Sequence, residues 1–225
     1  LPKGVFNVIT GPAVEIGGEL TSNPKIRKLS FTGSTATGKL LMAQCAGTVK
    51  KISLELGGNA PYILYDDADL EAALDATVPT KYANCGQVCV TPDRFFIHDS
   101  LHDAFVEGFV ARAEKIRLGD GLDPETGMGP LINAKRLDEI ESAVQDAVSA
   151  GANIATGGKR ADRNEGFFFE PTVLTGVSDE MRVFAEENFG PIAAITRFSD
   201  EEEVLARANA SDMGLSAYAF TRSPD

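Results

Sequence analysis

The sequence predicts an α/β protein built around a parallel sheet, and two observations support this fold class. Short runs rich in β-branched and aromatic residues alternate with helical stretches along the chain, an order typical of parallel sheets with helical connections. In addition, 225 residues with 43% hydrophobic side chains can bury a substantial core, in one large domain or two smaller ones.

The strand predictions rest on short apolar runs bounded by turn residues. They cover residues 25–32, 51–56, 61–65, 94–98, 172–177 and 193–198. Residues 214–222 are predicted to form a turn followed by a further strand. Because the chain lacks an initiator Met and stops directly after this strand, we interpret it as a segment of a longer protein.

Three helices are predicted from apolar spacing and capping residues. The clearest covers residues 134–150, and the side chains on its apolar face are Leu137, Ile140, Val144, Ala147 and Val148. A second begins after Ser100 as its N-cap and carries Leu101, Phe105, Phe109 and Ala113. A third runs from about residue 67 to 82 with Asp66 or Asp67 as its cap.

The charge balance excludes several classes of partner. With 21 Lys and Arg against 33 Asp and Glu, the formal net charge is −12, so phosphate backbones and anionic lipid surfaces are repelled. No apolar run reaches the roughly 20 residues needed to span a bilayer. The three cysteines, Cys45, Cys85 and Cys89, are too few for a disulfide framework, which favours a reducing, cytoplasmic compartment.

The segment FTGSTATGK at residues 31–39 lies between a predicted strand and a predicted helix. Its glycine spacing matches a phosphate-binding P-loop, but Leu40 stands where that motif needs a Ser or Thr to hold magnesium. A turn at a helix N-terminus can still bind a phosphate through backbone N–H groups. Taken alone, the segment is explained equally well as a plain turn, and the Rossmann G-x-G-x-x-G run is absent.

Two residues are candidates for catalytic chemistry. Glu55 interrupts an apolar strand and is followed by two glycines, a setting in which a carboxylate can act as a general base. Cys89 lies in the loop sequence NCGQVCV, where backbone N–H groups can face an oxyanion. Each has a plain alternative, namely a carboxylate satisfied by local hydrogen bonds and a cysteine buried in the core.

No metal ligand is predicted. Cys85 and Cys89 have a C-x3-C spacing, but no further Cys or His cluster completes a tetrahedral zinc site. His98 and His102 are four residues apart but straddle a strand end and a helix start, and we expect both at the surface. The segment AEENFGP at residues 185–191 by itself indicates only a solvated corner.

Together, these segments resemble the signatures of the aldehyde dehydrogenase superfamily. Matching runs occur in the same order at residues 31–38, 54–58, 86–89 and 186–191, and the spacing of Glu55 and Cys89 also fits. Further matches are MGPLI at 128–132, GGK at 157–159 and FEPT at 169–172. The run SLELGGNAP at 53–61 is most similar to the succinate-semialdehyde dehydrogenase branch.

The resemblance implies a role for each matching residue. Cys89 is then the nucleophile that forms a thiohemiacetal and a thioester, and Glu55 activates the hydrolytic water. The implied coenzyme, NAD or NADP, is held by Thr32, Gly33, Ser34, Leu56, Glu187 and Phe189. The implied substrate is an aldehyde, with succinic semialdehyde favoured, and the parent protein is expected to be a homo-oligomer.

The implied architecture has two domains with the active site between them. Residues 1–56 form the latter half of a Rossmann-like coenzyme domain, and residues 57–225 form a parallel-sheet catalytic domain without its C-terminal part. The family's oxyanion asparagine and ribose-binding lysine belong to an upstream segment, so activity is expected of the longer protein.

Two positions depart from the succinate-semialdehyde dehydrogenase pattern. Ala83 stands where that branch carries an arginine for the substrate carboxylate, with Lys81 nearby in sequence. Thr91 replaces a second cysteine, which excludes a redox switch there and leaves Cys85 as the alternative resolving thiol.

Two other functions stay open from the sequence. A cysteine acyltransferase or hydrolase without coenzyme needs a histidine partner, and neither histidine lies in a motif near Cys89. A catalytically inactive binding protein of the same fold has no need to keep Glu55, Cys89 and Glu187 together.

Overall fold

The computed structural model describes residues 1–163 and 165–223. The chain divides into two compact units, Leu1–Gly57 and Gly58–Asp225, and each has its own hydrophobic core. This division falls one residue after the predicted boundary at residue 56, and the assignment of a coenzyme domain and a catalytic domain stays a prediction. Within the described ranges, no helix is long and apolar enough to cross a membrane.

The first unit is built on a pair of parallel strands. Its elements are α1 (Ala13–Ser22), β1 (Lys28–Thr32), α2 (Thr35–Ala46) and β2 (Lys51–Glu55). Its buried core consists of Leu29, Leu41 and Cys45. The predicted strand 25–32 begins three residues late because the backbone N–H groups of Lys25 and Ile26 bond Asn23 in a turn. Helix α1 was not predicted.

In the second unit, the described strands form a sheet with the order β5-β6-β7-β4-β3-β8. These strands are β3 (Ala60–Leu64), β4 (Pro92–His98), β5 (Asn153–Thr156), β6 (Thr172–Thr175), β7 (Ile192–Phe198) and β8 (Tyr218–Phe220). Neighbouring strands are parallel except at the edge, where β5 runs antiparallel to β6. The α/β fold class is confirmed, with a mixed rather than purely parallel sheet.

Helices cover this sheet and complete the core. They are α3 (Leu70–Tyr82), α4 (Asp99–Ala113), α5 (Ala134–Ser149), α6 (Arg182–Ala185) and α7 (Glu201–Asn209). Phe95 of the sheet contacts Phe105 and Phe109 of α4, and Tyr62 contacts Phe105, with ring centroids 5.6 to 6.4 Å apart. Burial of such large aromatic side chains dominates the energetics of a core.

The two shorter helix predictions were wrong about the capping residues. Helix α3 is capped by Asp69, whose carboxylate accepts from the N–H of Ala72 at 3.2 Å. Asp67 instead holds the C-terminal segment, since it accepts from the N–H groups of residues 222 and 223. Helix α4 begins at Asp99, and its cap is His98 rather than Ser100.

Three further details differ from the predictions. Val148 was placed on the apolar face of α5 but is 42% exposed, whereas Ala143 is buried there. His102 was expected at the surface but is buried, because it lies on the same face of α4 as Phe105. Strand β6 ends at Thr175 because Gly176 turns the chain with a φ of 65°.

Candidate active site

In the first unit, the predicted base and the predicted coenzyme turn lie side by side. Strands β1 and β2 are parallel with Thr32 opposite Glu55, so both residues end their strands at the same edge. The N–H of Gly33 donates to the carbonyl of Glu55 at 3.0 Å. The Glu55 side chain is exposed, and its carboxylate has no hydrogen-bond partner among residues 1–163 and 165–223.

The turn after β1 leads directly into helix α2. Ser34 caps this helix, and its hydroxyl accepts from the N–H of Thr37 at 3.3 Å. Gly38 lets Leu56 pack against the first turn, since a Cβ there would lie 2.5 Å from Leu56 Cδ2. An exposed helix N-terminus with free N–H groups suits an anion such as a phosphate.

In the second unit, the residues around the predicted nucleophile form a loop of unusual backbone shape. Asn84, Cys85 and Gly86 have φ values of 50°, 60° and 69°, a left-handed region that side chains rarely adopt. A Cβ on Gly86 would lie 2.1 Å from the carbonyl oxygen of Gly190. The loop therefore packs closely on the segment that follows Glu187.

Two further contacts hold this loop. The side-chain oxygen of Gln87 accepts from the N–H of Ile132 at 2.9 Å, which ties the loop to the MGPLI run. The hydroxyl of Tyr218 donates to the carbonyl of Val90 at 2.7 Å. Pre-organisation of this kind holds a reactive group in place without further ordering during a reaction.

Accessibility distinguishes the three cysteines. Cys45 and Cys85 are buried, whereas Cys89 is partly exposed. Burial raises the pKa of the Cys85 thiol to about 12, although the nearby charge of Lys81 offsets part of the rise. Because the thiolate is the reactive form, Cys85 is a poor resolving thiol, and Cys89 is the thiol that a substrate can reach.

Gly58 is the point where the Cys89 loop and Glu187 meet. Its N–H donates to Glu187 Oε1 at 3.0 Å, and a Cβ on Gly58 would lie 2.6 Å from the carbonyl oxygen of Cys89. Only glycine allows both approaches, which is a physical reason for the second glycine of the SLELGGNAP run. Sequence reasoning identified this run but not the role of Gly58.

Glu187 is partly buried, and its surroundings change the pKa of its carboxyl. Burial raises its pKa above the ordinary value, the hydrogen bond from Gly58 offsets part of that rise, and the charge of Asp93 adds to it. Its second oxygen, Oε2, makes no hydrogen bond within residues 1–163 and 165–223. That oxygen is left to accept from a ligand hydroxyl.

The residues after Glu187 are held from two sides. The N–H of Asn188 donates to Asp93 Oδ2 at 3.3 Å, and its carbonyl accepts from Arg136 at 2.5 Å. The Arg136 guanidinium also lies 5.9 Å from the centre of the Phe189 ring. Phe189 itself has a φ of 45°. Sequence reasoning missed Arg136, because nothing in the α5 sequence marks it apart from other surface cations.

Sheet topology explains why these separate loops come together. Gly58, Cys89 and Glu187 lie shortly before β3, β4 and β7, which are neighbouring strands of one sheet. Because these strands are parallel, their amino ends share one edge. The structure thus groups Thr32, Gly33, Ser34, Glu55 and Leu56 in the first unit. It groups Cys89, Glu187 and Phe189 in the second.

Neither histidine supports a thiol hydrolase. His98 Nδ1 lies 2.8 Å from the hydroxyl of Ser100, and His102 Nδ1 lies 3.0 Å from Asp103, so both rings have partners other than Cys89. No group of three or more His, Cys, Asp or Glu residues that could hold a metal ion occurs among the described residues.

Lys81 is not a substitute for the arginine that the semialdehyde branch carries. Its side chain is fully buried, and its Nζ lies 2.7 Å from Asp93 Oδ1. Ala83, by contrast, is exposed at the start of the loop. Although Lys81 is near Ala83 in sequence, it therefore does not bind the carboxylate of a substrate.

Comparison with known proteins agrees with this geometry. The chain belongs to the aldehyde dehydrogenase family, whose pattern it matches over residues 1–225. It is 50% identical over 222 residues to glutarate-semialdehyde dehydrogenase of Pseudomonas aeruginosa. It is 48% identical over 222 residues to the NADP(+) succinate-semialdehyde dehydrogenase of Escherichia coli. Each alignment covers 99% of this chain and 46% of the relative.

Solved structures show the same relationship. The crystal structure of succinate-semialdehyde dehydrogenase from Burkholderia pseudomallei superposes with a TM-score of 0.97 at 51% identity. That superposition covers 100% of this chain and 46% of the other. The chain thus spans about half the length of the relatives it matches, and the fold prediction is confirmed.

Proposed function

We propose that the whole protein containing this chain oxidises an aldehyde to a carboxylic acid with NAD or NADP as coenzyme. The observation that carries the proposal is the meeting at Gly58, where the loop of the accessible thiol packs beside the Glu187 carboxylate. The names of the relatives, which are dehydrogenases of glutarate and succinate semialdehyde, support the same reaction type.

Cys89 is the nucleophile in this proposal. Its thiolate attacks the carbonyl carbon of the aldehyde, so a C–S bond forms and the carbonyl oxygen becomes an alkoxide. The backbone N–H of Cys89 donates to that oxygen as it gains charge. The loop held by Gly86, Gln87 and Tyr218 keeps the thiol in position while the bond forms.

The residues present fit a dinucleotide coenzyme. The exposed start of α2 offers the backbone N–H of Ser34 to a phosphate, with Thr32 and Gly33 beside it, and Leu56 provides an apolar surface. Glu187 Oε2 has an accepting lone pair for a ribose hydroxyl, and Phe189 packs beside it. A bound nicotinamide would supply the hydride acceptor, and loss of hydride from the thiohemiacetal carbon would leave a thioester on Cys89.

Glu55 completes the cycle as the general base. Its exposed carboxylate takes a proton from a water molecule, and the resulting hydroxide attacks the thioester carbon. The C–S bond breaks, the carboxylic acid leaves and the Cys89 thiolate returns. In this assignment residues 1–56 act as part of a coenzyme domain and residues 57–225 as part of a catalytic domain.

We propose a semialdehyde such as succinic semialdehyde as substrate, with a weakened preference for the acid tail. The two named relatives act on acid-tailed aldehydes, but here Ala83 stands at the arginine position and Lys81 is committed to Asp93. Loss of a charge-assisted pair removes a strong contact to a carboxylate. The formal net charge of −12 argues against a nucleic-acid partner, and the sparse cysteines suit a cytoplasmic location. The homo-oligomeric state is proposed from the family resemblance alone.

The test measures reduction of NAD and of NADP by the whole protein, with succinic semialdehyde and with uncharged butanal. A Cys89→Ser variant should lose at least about 10³-fold in kcat, whereas Cys45→Ala, which removes a buried thiol of the first unit, should keep activity. If neither aldehyde reduces either coenzyme, the proposed function is wrong. Equal kcat/KM for both aldehydes would show that Ala83 has removed the preference for the acid tail.

A further inference from the structure

A buried ion pair brackets the loop that carries Cys89. Lys81 lies in the last turn of α3, and Asp93 is the second residue of β4. The distance between Lys81 Nζ and Asp93 Oδ1 is 2.7 Å, and their side chains are 0% and 4% exposed. The pair therefore closes the loop at the two points where it leaves the helix and enters the sheet.

Stability alone is a weak explanation for this pair. Removing two charges from water is costly, and a buried ion pair often stabilises a protein no more than apolar residues of similar volume. Loss of a single partner, by contrast, leaves an uncompensated buried charge. A pair of this kind thus specifies one geometry strongly while contributing little net stability.

The same aspartate also bonds the segment that follows Glu187. Asp93 Oδ2 accepts from the N–H of Asn188 at 3.3 Å, directly beside Glu187. One carboxylate thereby bonds the end of α3 through one oxygen and the 187–189 segment through the other. The Cys89 loop runs from Lys81 to Asp93, and it packs next to the 187–189 segment through Gly86 and the carbonyl of Gly190.

We propose that Lys81 and Asp93 are positioning residues that hold the Cys89 loop and the Glu187 segment in one fixed arrangement. Both side chains are buried, so a substrate cannot reach either of them. The inference rests on the proposed function for its kinetic consequence, because the arrangement sets the thiol relative to the residues that hold the coenzyme. Displacement of reacting groups by about 1 Å costs up to ~100-fold in rate.

The test compares Lys81→Met, Asp93→Asn and the double variant in the whole protein. The kcat per active site, counted by the burst of reduced coenzyme, should fall about 10- to 100-fold in each single variant. The aldehyde KM should change little, because neither residue touches the substrate. Loss in the double variant should not exceed the larger single loss, since both residues act through one contact. Multiplying losses would overturn the shared role.

Arg207→Met is the matched control. Arg207 forms a bidentate pair with Asp179 at 2.8 Å and contacts the Phe96 ring, so its loss weakens the second unit without touching the Cys89 loop. Its kcat per site should equal the wild-type value. If Lys81→Met and Asp93→Asn show only a lower Tm with an unchanged kcat per site, the positioning role is wrong. Should Lys81→Met fail to fold, the milder Asp93→Asn variant decides.

A second readout separates this inference from the proposed function. The rate at which iodoacetamide alkylates Cys89, identified by peptide mass and measured at one fixed pH for all variants, should rise severalfold in both single variants because the loop loosens. Arg207→Met should match the wild type. An unchanged rate would overturn the positioning role even in a protein without dehydrogenase activity, whereas an inactive wild type with the expected alkylation change would overturn only the proposed function.

Discussion

The two units place their candidate site residues at opposite ends of their strands. In the first unit, Glu55 and the Gly33 turn stand at the carboxyl ends of β1 and β2, the usual ligand-binding edge of parallel sheets. In the second unit, the loops of Gly58, Cys89 and Glu187 precede the amino ends of β3, β4 and β7.

The difference explains why the two sets of residues are held by different means. A turn from a strand into a helix, as at Ser34, brings backbone N–H groups to the ligand through helix geometry alone. The loops before β4 and β7 follow α3 and α6 instead, and they contain left-handed residues such as Asn84 and Phe189. Such backbone strain persists only where the surroundings enforce it, which is the part played by Gly86, Gln87 and Arg136.

The largest expected effect separates the chemistry of the two units. Glu55→Gln should lower steady-state kcat about 10²- to 10⁴-fold, yet it should still release one reduced coenzyme per active site, because hydride transfer needs only Cys89. Cys89→Ser should show no burst at all. Stopped-flow absorbance of the reduced coenzyme measures both.

A Glu55→Gln protein without a burst would mean that Glu55 acts before hydride transfer. It would contradict the assignment of thioester formation to Cys89 of the second unit and of hydrolysis to Glu55 of the first. The comparison requires equal amounts of folded protein, which thermal denaturation of both variants establishes.

The next effect concerns the glycines that each unit uses for close packing. Gly86→Ala should destabilise the protein by about 2–5 kcal/mol, because a Cβ meets backbone at a left-handed residue. Gly38→Ala should stay within about 1 kcal/mol of the wild type, since the contacted Leu56 methyl can move and alanine favours the helix. Thermal denaturation compares them.

Gly38→Ala should act on the coenzyme instead, with a raised coenzyme KM and little change in Tm, because the displaced Leu56 belongs to the proposed nicotinamide surface. Similar Tm losses in the two variants would contradict this difference, namely that Gly86 packs against backbone and Gly38 against a movable side chain.

The smallest expected effect concerns the pKa of Glu187. Burial raises this pKa in the folded protein, so ionisation of the carboxyl costs stability at neutral pH, and that cost disappears as the pH falls below the ordinary glutamate pKa near 4.3. Glu187→Gln keeps an oxygen for the Gly58 N–H and should raise Tm slightly at pH 7, with the gain shrinking toward about pH 4.

The same Glu187→Gln variant should bind coenzyme more weakly, because a neutral amide is a poorer acceptor for a ribose hydroxyl than a carboxylate. A Tm gain that grows at acid pH would contradict the pKa direction. Unchanged coenzyme affinity would remove Glu187 from the coenzyme site.

Much of the fold was predictable from local patterns. The strands that contain Phe31, Phe95 and Ile195 were found because apolar runs bounded by turns report burial directly. Helix caps were less predictable: Asp67 and Asp69 offer the same side chain, and only the contact of Asp67 with the segment at residues 222 and 223 distinguishes them. The burial of His102 and the exposure of Val148 were also not predictable, because the buried face of a helix depends on which other elements pack against it.

The candidate site residues were likewise proposed from local information. Cys89, Glu55 and Glu187 lie in short motifs whose order along the chain resembles that of the aldehyde dehydrogenase family. The sequence by itself determined membership of that family. Residue types and spacing suffice for that conclusion because the proposed chemistry needs a thiol, a carboxylate and glycines near them.

Only the tertiary structure decided how these motifs are supported. Lys81 and Asp93 are twelve residues apart and become one buried pair, and Gly58 joins the carbonyl of Cys89 to the carboxylate of Glu187. The order of β7, β4 and β3 in the sheet brings these loops to one edge. Strand order depends on the free energy of the whole packed core, so no local pattern of residues encodes it.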